Sequence, residues 1–600
     1  MGVYGVTKFP WNGKTGFLRN VLLIGSFLLV GGVIYSNTFH SPFVFDDGPS
    51  ITRNPTIKNL ENFFGRSTGY DKYPTRFLGY ATFALNYRVG ELDPLWYHVV
   101  NLAIHIVNSL LVCFIAYFTF HTPFLKNSDY EETSKISAVI AGTLFLIHPV
   151  QTEAVTFIVQ RLTSLATMFC LISLLFYIKS VSLLNDMKLK HYAYYGLSLI
   201  SCMAAMKTKE ISFTFPAMLF LYEFMFFERT LKRRVFLLSP FFLTFLIIPL
   251  SLIDFLAPME KVLSDVGATM RVQTDMPRLD YFITQISVIA TYVRLLFVPI
   301  HQNLDYDYPT YHSIFHPRVF ISGLFLLAFV GVAVWLYLRS RKNASAGLRV
   351  VSFGIIWFFI MLSVESSLIP IVDVIFEHRV YLPSFGAFLS FAVAVSLISW
   401  RRQRRVWAGA LILIMAVLSV ATYKRNTIWR DDLALWSDTV EKSPLKARPH
   451  YNLGNSFYLR GRTKEALKEF RTAIQVNPEY ADAYLNLGVA YASLGVEDGA
   501  ERALRKAIQL KPYDAESYYN LGLLYSNRKM GHLAIEQYKK AVSLNPESAN
   551  IHNNLGIALA EAGRIDEAIH QFLRGLRFHP EDRELRKNLE NAYKLKHSIN

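Results

Sequence analysis

The feature that most constrains the fold is a series of long runs with almost no charged residues, crowded into residues 1–424. Several runs approach the roughly 20 residues that a helix needs to cross a membrane. Hydrophobic residues make up 52% of the chain, and their concentration in runs excludes an ordinary soluble protein for this part. The runs lie at about 20–45, 95–120, 136–149, 160–178, 191–206, 211–227, 235–254, 281–298, 319–338, 349–364, 381–400 and 406–423. We therefore expect an all-α polytopic membrane bundle over residues 1–424.

Basic residues between the runs indicate how many runs span the membrane, because such residues favour the cytoplasmic side. The strongest clusters lie at residues 229–234, 339–342 and 401–405. If every run spanned, the second and third clusters would lie outside. If 281–298 is instead an interfacial or re-entrant helix, about eleven spans remain and all three clusters join the N-terminus in the cytoplasm. We expect this second arrangement, with the C-terminal part on the opposite side.

Two further observations concern compartment and partners. The net charge of +16 comes largely from these short clusters, so it does not indicate a nucleic-acid partner. The single N-glycosylation sequon, Asn343-Ala-Ser345, falls on an expected cytoplasmic loop, which favours a bacterial inner membrane with the C-terminal part in the periplasm. The three cysteines lie inside apolar runs without metal-ligand spacing, so we expect no disulfide framework and no metal site.

A second pattern begins where the apolar runs end. Residues 444–582 repeat with a period of 34, marked by prolines and by Asn-Leu-Gly triplets that start at Asn452, Asn486, Asn520 and Asn554. This pattern is typical of the tetratricopeptide repeat, which stacks helix pairs into an α-solenoid. We expect a linker helix at 425–446 and a repeat domain at 447–600, with units 447–480, 481–514, 515–548 and 549–582 and a capping helix at 583–597. The four asparagines either bind an extended peptide in the groove or hold the geometry between helices.

The most informative polar stretch is Phe43-Val-Phe-Asp-Asp-Gly48, which follows the first apolar run. A carboxylate near a low-dielectric region can act as a general base, so Asp46 and Asp47 are candidate catalytic residues. The simpler alternative is an Asp-Gly turn on a solvated loop.

Other polar groups lie on the side of the membrane expected for that loop. His98, Asn101, His105 and Asn108 share one face of the second run, where they either line a polar pocket or join helices by hydrogen bonds. A zinc site formed by His98 and His105 has no support from their spacing. Cations lie near the expected outer ends of spans, where they either bind a phosphate or reach toward lipid headgroups: Arg161, Lys207, Lys209 and Arg379.

With these residues identified, the chain resembles the transmembrane-and-tetratricopeptide-repeat O-mannosyltransferases and their prokaryotic relatives, within the GT-C class of glycosyltransferases. The resemblance covers nearly the whole chain. Its local matches are Phe43-Val-Phe-Asp-Asp47, Arg76-Phe-Leu, Trp96-Tyr-His98 with Asn101 and His105, His148-Pro149 with Thr152-Glu-Ala-Val155 and Arg161, Lys209-Glu210, Arg379-Val-Tyr-Leu-Pro-Ser384, and Arg425-Asn with Trp429. The chain departs from the family in Pro74-Thr75-Arg76 and in the His378 between Glu377 and Arg379.

The resemblance implies a GT-C-like membrane enzyme that moves a sugar from a polyprenyl-phosphate carrier to a hydroxyl, without a nucleotide-sugar or a required metal. It implies that Asp46 takes the acceptor proton and that the donor phosphate is bound by Arg161, Lys207, Lys209, His378 and Arg379. The remaining pocket residues would be Arg76, His98, Asn101, His148, Glu153 and Glu210. The acceptor would be a Ser or Thr of a protein held by the repeats; alternatives are a glycan or lipid acceptor and a non-catalytic membrane scaffold.

Overall fold

The computed structural model describes residues 14–64, 68–125, 131–183, 188–252, 274, 276–343, 345–367, 369–399 and 404–599. Within these ranges all regular structure is helical, and the chain divides into two compact units, Met1–Asp431 and Asp432–Asn600. Part of the third basic cluster, residues 401–403, lies outside the described residues.

The first unit is built from α-helices numbered α1 to α16 along the described chain. Their bounds are Lys14–Ile34, Thr68–Lys72, Phe77–Gly90, Pro94–Phe120, Glu131–Ile147, Thr152–Thr156, Arg161–Ser182, Lys188–Met206, Phe215–Phe226, Leu231–Leu243, Ile247–Ser251, Arg278–Phe297, Pro317–Asn343, Ala346–Leu362, Ser384–Ser399 and Arg404–Asn426. Short 3₁₀ turns join several of them, at Ser36–Thr38, Pro55–Lys58, Leu60–Phe63, Pro149–Gln151, Ile158–Gln160, Glu210–Thr214, Thr244–Leu246, Glu377–Val380 and Thr427–Arg430. One π-helical turn, Gly48–Thr52, follows the acidic pair.

Helix α4 lies at the centre of the first unit, where it packs against α5 and α7, while α15 packs against α5 and α14. The α14–α15 contact depends on two glycines. A Cβ on Gly354 would lie 2.2 Å from the carbonyl oxygen of Gly386, and a Cβ on Gly386 would lie 2.3 Å from the oxygen of Gly354. The absence of side chains at both positions therefore allows the backbones to touch. This contact holds the start of α15 against α14.

Six helices of the described chain are long and apolar enough to cross a membrane: Pro94–Phe120, Ile158–Ser182, Leu231–Ser251, Arg278–Phe297, Pro317–Arg341 and Arg405–Arg430. A pair bent by 53°, Ser134–Ile147 with Pro149–Thr156, makes a seventh candidate. Shorter apolar helices are Leu18–Ile34, Ala346–Leu362 and Ser384–Leu397. Several of the apolar runs thus form helices that are too short or too polar to meet the requirements for a membrane span. The expected number of eleven spans stays a prediction. Helix α12, which that count leaves out, is among the six.

The chain folds back on itself around α12. Along its length, α12 faces the segment between α14 and α15: the Tyr281 hydroxyl donates to the Glu365 carbonyl (2.7 Å), and the Tyr292 hydroxyl donates to the Phe376 carbonyl (2.9 Å). The following loop then runs back beside α12, so that His312 lies 2.7 Å from Asp280 at the helix's beginning. Helix α13 therefore starts next to the start of α12 rather than next to its end.

The second unit contains helices α17 to α26, which form successive antiparallel pairs after a leading helix. Their bounds are Asp432–Lys442, Ala447–Leu459, Thr463–Val476, Ala481–Ser493, Glu497–Leu510, Ala515–Asn527, Gly531–Leu544, Ala549–Glu561, Ile565–Phe578 and Arg583–Ile599. The repeated glycine of each triplet faces an aromatic or leucine side chain of the paired helix; a Cβ on Gly454, for example, would meet Phe470 at 2.6 Å. The small residues of the 34-residue period thus stand where paired helices cross.

Candidate active site

The two adjacent aspartates point in different directions. Asp47 is fully buried, whereas Asp46 is exposed. The N–H of Val44 donates to Oδ2 of Asp47 (3.0 Å), and the N–H of Val159 donates to its Oδ1 (2.8 Å). Asp47 therefore fastens the first loop to the segment that precedes α7, and this leaves Asp46 at the surface of the loop.

The backbone before the pair takes an unusual conformation that accompanies this separation. Phe45 has a φ of +49°, in the left-handed region that a side chain rarely adopts. Such a residue costs about 1–3 kcal/mol and persists only where its surroundings enforce it. Here the Phe45 ring stacks on Phe157 with centroids 6.2 Å apart. The loop is thus held in one conformation from both sides.

The environment of Asp47 suits a structural role. Burial raises the pKa of Asp47 to about 8, although the N–H groups of Val44 and Val159 and the guanidinium of Arg161 oppose the rise. A carboxyl group that is buried and largely protonated near neutral pH cannot readily accept a proton from a substrate. Of the two aspartates, only Asp46 is accessible to one.

Arg161 lies beneath this loop and is fully buried. Its Nε donates to Oδ1 of Asn101 (2.7 Å), and its terminal nitrogens donate to the carbonyls of Thr82 (3.3 Å) and Tyr97 (3.0 Å). The sequence-based expectation made Arg161 a ligand of the donor phosphate. In the structure, its donors are directed to protein acceptors, and its charge supports the buried end of the loop instead.

The polar face of α4 joins the helix to its neighbours. The Nε2 atom of His98 lies 3.0 Å from the Ser41 carbonyl, and Asn101 donates to the carbonyls of Val155 and Ile158, each at 3.2 Å. Deeper in the helix, His105 and Asn108 both contact the Tyr381 hydroxyl, at 2.7 and 3.1 Å. Of the two alternatives open from the sequence, hydrogen bonding between segments describes all four residues.

A second centre contains the buried cation Lys209. Its Nζ donates to Oγ1 of Thr163 (2.7 Å) and to Oε1 of Gln160 (3.3 Å), and it lies 4.0 Å from a carboxylate oxygen of Glu365. Because Gln160 directly follows Val159, which binds Asp47, two consecutive residues connect the acidic pair to Lys209. Burial lowers the pKa of Lys209, so an anion bound beside it would stabilise its charged form.

Arg379 is the other buried cation of this centre. Its terminal nitrogens donate to the backbone carbonyls of Val374 (3.1 Å) and Asp373 (2.7 Å). Its Nε is buried and has no hydrogen-bond partner among the residues that the structure describes. The carboxylates of Glu365 and Asp373 lie close enough to act on its charge and raise the pKa of Arg379. A guanidinium satisfied mainly by carbonyls keeps its full positive charge, which makes this region attractive to an anion.

His378 and Glu153 form a buried pair beside Arg379. Oε1 of Glu153 lies 2.7 Å from Nδ1 of His378, while its Oε2 accepts the backbone N–H groups of Glu377 (2.8 Å) and His378 (3.2 Å). Glu377 itself is buried and accepts from Gln302, from the N–H of Asn303 and from the Tyr306 hydroxyl. One carboxylate thus fixes both the backbone and the ring orientation of His378.

Arg76 and Glu210 lie at the edge of this centre as a bidentate pair. Nε of Arg76 donates to both oxygens of Glu210 at 3.0 and 3.1 Å, and the Thr75 hydroxyl adds a bond of 2.7 Å. Burial opposes ionisation, but the contacts with Arg76 and Thr75 hold the pKa of Glu210 down at about 2. The charge of Arg76 is therefore balanced by a bidentate carboxylate, whereas Arg379 donates to backbone carbonyls.

Two residues expected in the site point elsewhere. Nζ of Lys207 donates to the Tyr70 hydroxyl (2.8 Å) and to Ser251 (2.5 Å), away from the partners of Lys209. Nδ1 of His148 accepts the N–H of Val150 (3.2 Å) and so caps the turn Pro149–Gln151. Conversely, Gln160, Thr163 and Glu365 belong to the centre, and none of them was singled out from the sequence. Gln160 directly precedes Arg161, which belongs to a family motif, and this position could have identified Gln160 from the sequence.

Two apolar cavities lie next to one another beyond His148. One, of about 210 Å³, lies among α12 to α15, and the other, of about 230 Å³, reaches from α5 to α16. Both are lined by Leu296, Phe297, Ala387 and Phe391. Gln302 connects this region to the polar centre, since its amide donates both to the Pro149 carbonyl (3.1 Å) and to Glu377 (2.5 Å).

Two of the four repeat asparagines make contacts between neighbouring repeats. Asn486 donates to the Tyr451 hydroxyl (3.2 Å), and Asn554 donates to the Tyr519 hydroxyl (2.7 Å). Asn520 instead donates to the carbonyl of Glu516, one turn earlier in its own helix (2.9 Å). All four asparagines, including Asn452, are half-buried. Holding the geometry therefore accounts for the observed bonds, and peptide binding stays a prediction.

Comparison with known proteins identifies relatives of both units. One family model, described as TPR repeat, matches residues 454–495 and 533–563, and another, described as tetratricopeptide repeat, matches 481–514. A solved structure of MamA covers 25% of this chain and 87% of MamA, with 26% identity and a TM-score of 0.24. A tetratricopeptide-repeat protein of Thermus thermophilus covers 31% of this chain and 98% of its own, with 23% identity and a TM-score of 0.25.

Longer matches include the membrane unit. A Caenorhabditis elegans protein O-mannosyl-transferase is 26% identical over 486 residues, which are 78% of this chain and 64% of the relative. The human protein O-mannosyl-transferases TMTC3 and TMTC1 are 26% and 27% identical, covering 77% and 75% of this chain and 52% and 55% of their own. The chain thus spans about half to two thirds of the length of these curated relatives. The resemblance predicted from the local motifs is confirmed: the chain is a distant homologue of the transmembrane-and-tetratricopeptide-repeat O-mannosyltransferases.

Proposed function

We propose that this protein is a GT-C-type membrane glycosyltransferase that moves a sugar from a polyprenyl-phosphate carrier to a hydroxyl of a Ser or Thr residue. The observation that carries the proposal is the pairing of two buried cations, Lys209 and Arg379, with an accessible carboxylate, Asp46, on connected loops. The cations suit a phosphate, and the carboxylate suits an acceptor proton. The names of the relatives agree with this chemistry.

In the proposed reaction, Asp46 takes the proton of the acceptor hydroxyl as its oxygen attacks the anomeric carbon of the sugar. The bond from that carbon to the phosphate oxygen breaks, and its electron pair stays on the phosphate. The phosphate of the donor is a diester with one negative charge, and it gains a second as it leaves. Lys209 and Arg379 would stabilise that growing charge most strongly because they lie in a buried, low-dielectric region.

The apolar cavities around Ala387 support a lipid-linked donor. An isoprenoid chain needs a continuous apolar surface that begins close to the phosphate site. His148 lines one of the two cavities, and Gln302 donates both to the carbonyl of the next residue, Pro149, and to Glu377 of the polar centre. We propose that the carrier chain occupies these cavities while its phosphate meets Lys209 and Arg379.

The fold-back around α12 supports the expected membrane topology. A spanning helix would meet a loop on one side only near one end, yet α12 contacts Glu365 through Tyr281 and Phe376 through Tyr292. The proximity of His312 to Asp280 also returns the chain to its starting side before α13. We propose that α12 lies at the membrane surface, that about eleven spans remain, and that the acidic loop faces the periplasm of a bacterial inner membrane with the N-terminus in the cytoplasm.

The tetratricopeptide repeats support a protein acceptor, because such solenoids present an extended binding surface. We propose that they hold the acceptor, with residues 447–600 as the repeat domain and 1–424 as the catalytic domain. The four asparagines at Asn452, Asn486, Asn520 and Asn554 are the proposed contacts to the acceptor backbone.

The experiment is transfer from radiolabelled polyprenyl-phospho-mannose to a library of Ser- and Thr-containing peptides by the full chain in lipid nanodiscs. We expect Asp46→Asn to lower the rate by about 10²–10⁴, the usual contribution of a general base. Asp71→Asn, at an exposed position of α2 in the same connection between α1 and α3, is the matched control and should transfer at the parental rate. Parental transfer by a folded Asp46→Asn variant would refute the assignment.

A further inference from the structure

The two ring nitrogens of His378 have different environments. Nδ1 of His378 lies 2.7 Å from Glu153, and the backbone N–H of the same residue donates to that carboxylate. Among the described residues, no hydrogen bond reaches the other ring nitrogen, Nε2. A ring fixed by a carboxylate at one nitrogen and open at the other is arranged to exchange a proton at the open nitrogen.

The charged groups around the His378 ring determine its protonation state in the protein without a bound anion. Burial lowers the pKa of His378 well below its ordinary value; the cations Lys209, Arg379 and Arg76 lower it further, and Glu365 opposes them. The other charged groups of the centre are Glu153, which holds Nδ1, Glu377, and Arg425, which acts on both of these carboxylates. The imidazole is therefore neutral at pH 7 when no anion is bound.

A bound phosphate opposes these effects, because its negative charge offsets the cations Lys209, Arg379 and Arg76 and attracts a proton to the ring. The leaving phosphate becomes a monoester, whose second ionisation falls near pH 6. A phosphate monoester and an imidazole have similar affinity for a proton, so the imidazole can transfer its proton to the phosphate at little cost in free energy.

Resting on the proposed function, we propose that His378 is a further catalytic residue that protonates the leaving phosphate, with Glu153 as its positioning residue. When the donor binds, Nε2 of His378 takes up a proton from solvent. As the bond from sugar to phosphate breaks, that proton moves from Nε2 to a phosphate oxygen, and the ring returns to its neutral form with Nδ1–H still bound to Glu153. The acceptor proton goes separately to Asp46, so both charges balance and the protons are exchanged with water between cycles.

The test measures proton uptake rather than transfer. The full chain in nanodiscs is titrated with citronellyl phosphate, a short prenyl monophosphate, at pH 7.5 in two buffers of different ionisation enthalpy. We expect the parent to take up about one proton per molecule bound. His378→Gln should take up much less while binding the same probe, and Glu153→Gln should lie between them. His312→Gln, an exposed histidine, should match the parent.

The outcomes separate this proposal from the proposed function. If the parent takes up no proton, or if His378→Gln takes up as much as the parent, the role of His378 is refuted, whether or not sugar is transferred. If uptake depends on His378 but the parent transfers no sugar from polyprenyl-phospho-mannose, the proposed function fails and a proton-coupled phosphate site remains. Where transfer is measurable, a purely structural His378 would leave the shape of the pH–kcat profile unchanged, whereas we expect its alkaline limb to disappear in His378→Gln.

Discussion

Replacing each aspartate of the adjacent pair by asparagine should affect the protein in opposite ways. Asp47→Asn keeps one acceptor oxygen but turns an amide NH₂ toward the N–H of Val44 or Val159, since both of these groups now donate to the carboxyl. Losing one hydrogen bond costs about 0.5–1.5 kcal/mol, and leaving a buried N–H unpaired adds about 1–3 kcal/mol. We expect a loss of about 2–4 kcal/mol for Asp47→Asn, and less than about 0.5 kcal/mol for the exposed Asp46→Asn.

The assay is thermal unfolding of the full chain in nanodiscs at pH 6.5, followed by tryptophan fluorescence. At about 2–4 °C per kcal/mol for a large domain, the melting temperature of Asp47→Asn should fall by roughly 4–16 °C. That of Asp46→Asn should stay within about 2 °C of the parent. The reasoning would be refuted by an unchanged melting temperature for Asp47→Asn, or by a larger fall for Asp46→Asn than for Asp47→Asn.

Two further predictions follow from the same structure. Because the folded pKa of Asp47 is raised to about 8 from 3.8, its folded form holds the proton more tightly than the unfolded chain, so its stabilisation is complete below about pH 4 and lost as the pH rises through about 8. The melting-temperature deficit of Asp47→Asn should therefore shrink between pH 5 and pH 8.5; a constant deficit would contradict this sign. Ala387→Phe, which fills the wall shared by both apolar cavities, should raise the KM for a long-chain polyprenyl donor about ten-fold and change that for a citronellyl donor little. Val420→Phe, at an exposed site on α16, is the control, and equal effects of the two variants would argue against the cavities as the carrier site.

The parts of the fold that follow from local pattern could be predicted. The 34-residue period specified the repeat helices because its glycines and alanines stand where helices cross, as Gly454 does against Phe470. The number of spans could not be obtained in this way. Helix α12 is as long and apolar as a spanning helix, and its position depends on contacts such as Tyr281 with Glu365, which lie 84 residues apart.

The candidate site, too, could be predicted only in part, because contacts between distant residues determine its geometry. Sequence identified the acidic pair but not which member is exposed, because this depends on a hydrogen bond from Val159, 112 residues away. Lys207 and Lys209 looked equivalent, yet Lys207 follows directly on the end of α8 while Lys209 has an extended backbone, so their side chains meet different partners. Glu365 lies in no motif and became visible only through its position near Lys209.

The central claim is that one site binds the carrier phosphate at Lys209 and Arg379 and the carrier chain at the cavities around Ala387. It is tested most directly by photo-crosslinking with a benzophenone-tagged polyprenyl phosphate, followed by mass spectrometry of the labelled peptides. We predict labelling of peptides from α12 and α15, which untagged polyprenyl phosphate competes away and which Arg379→Gln abolishes. Competed labelling confined to the basic cluster at residues 229–234, with none on α12 or α15, would contradict the account.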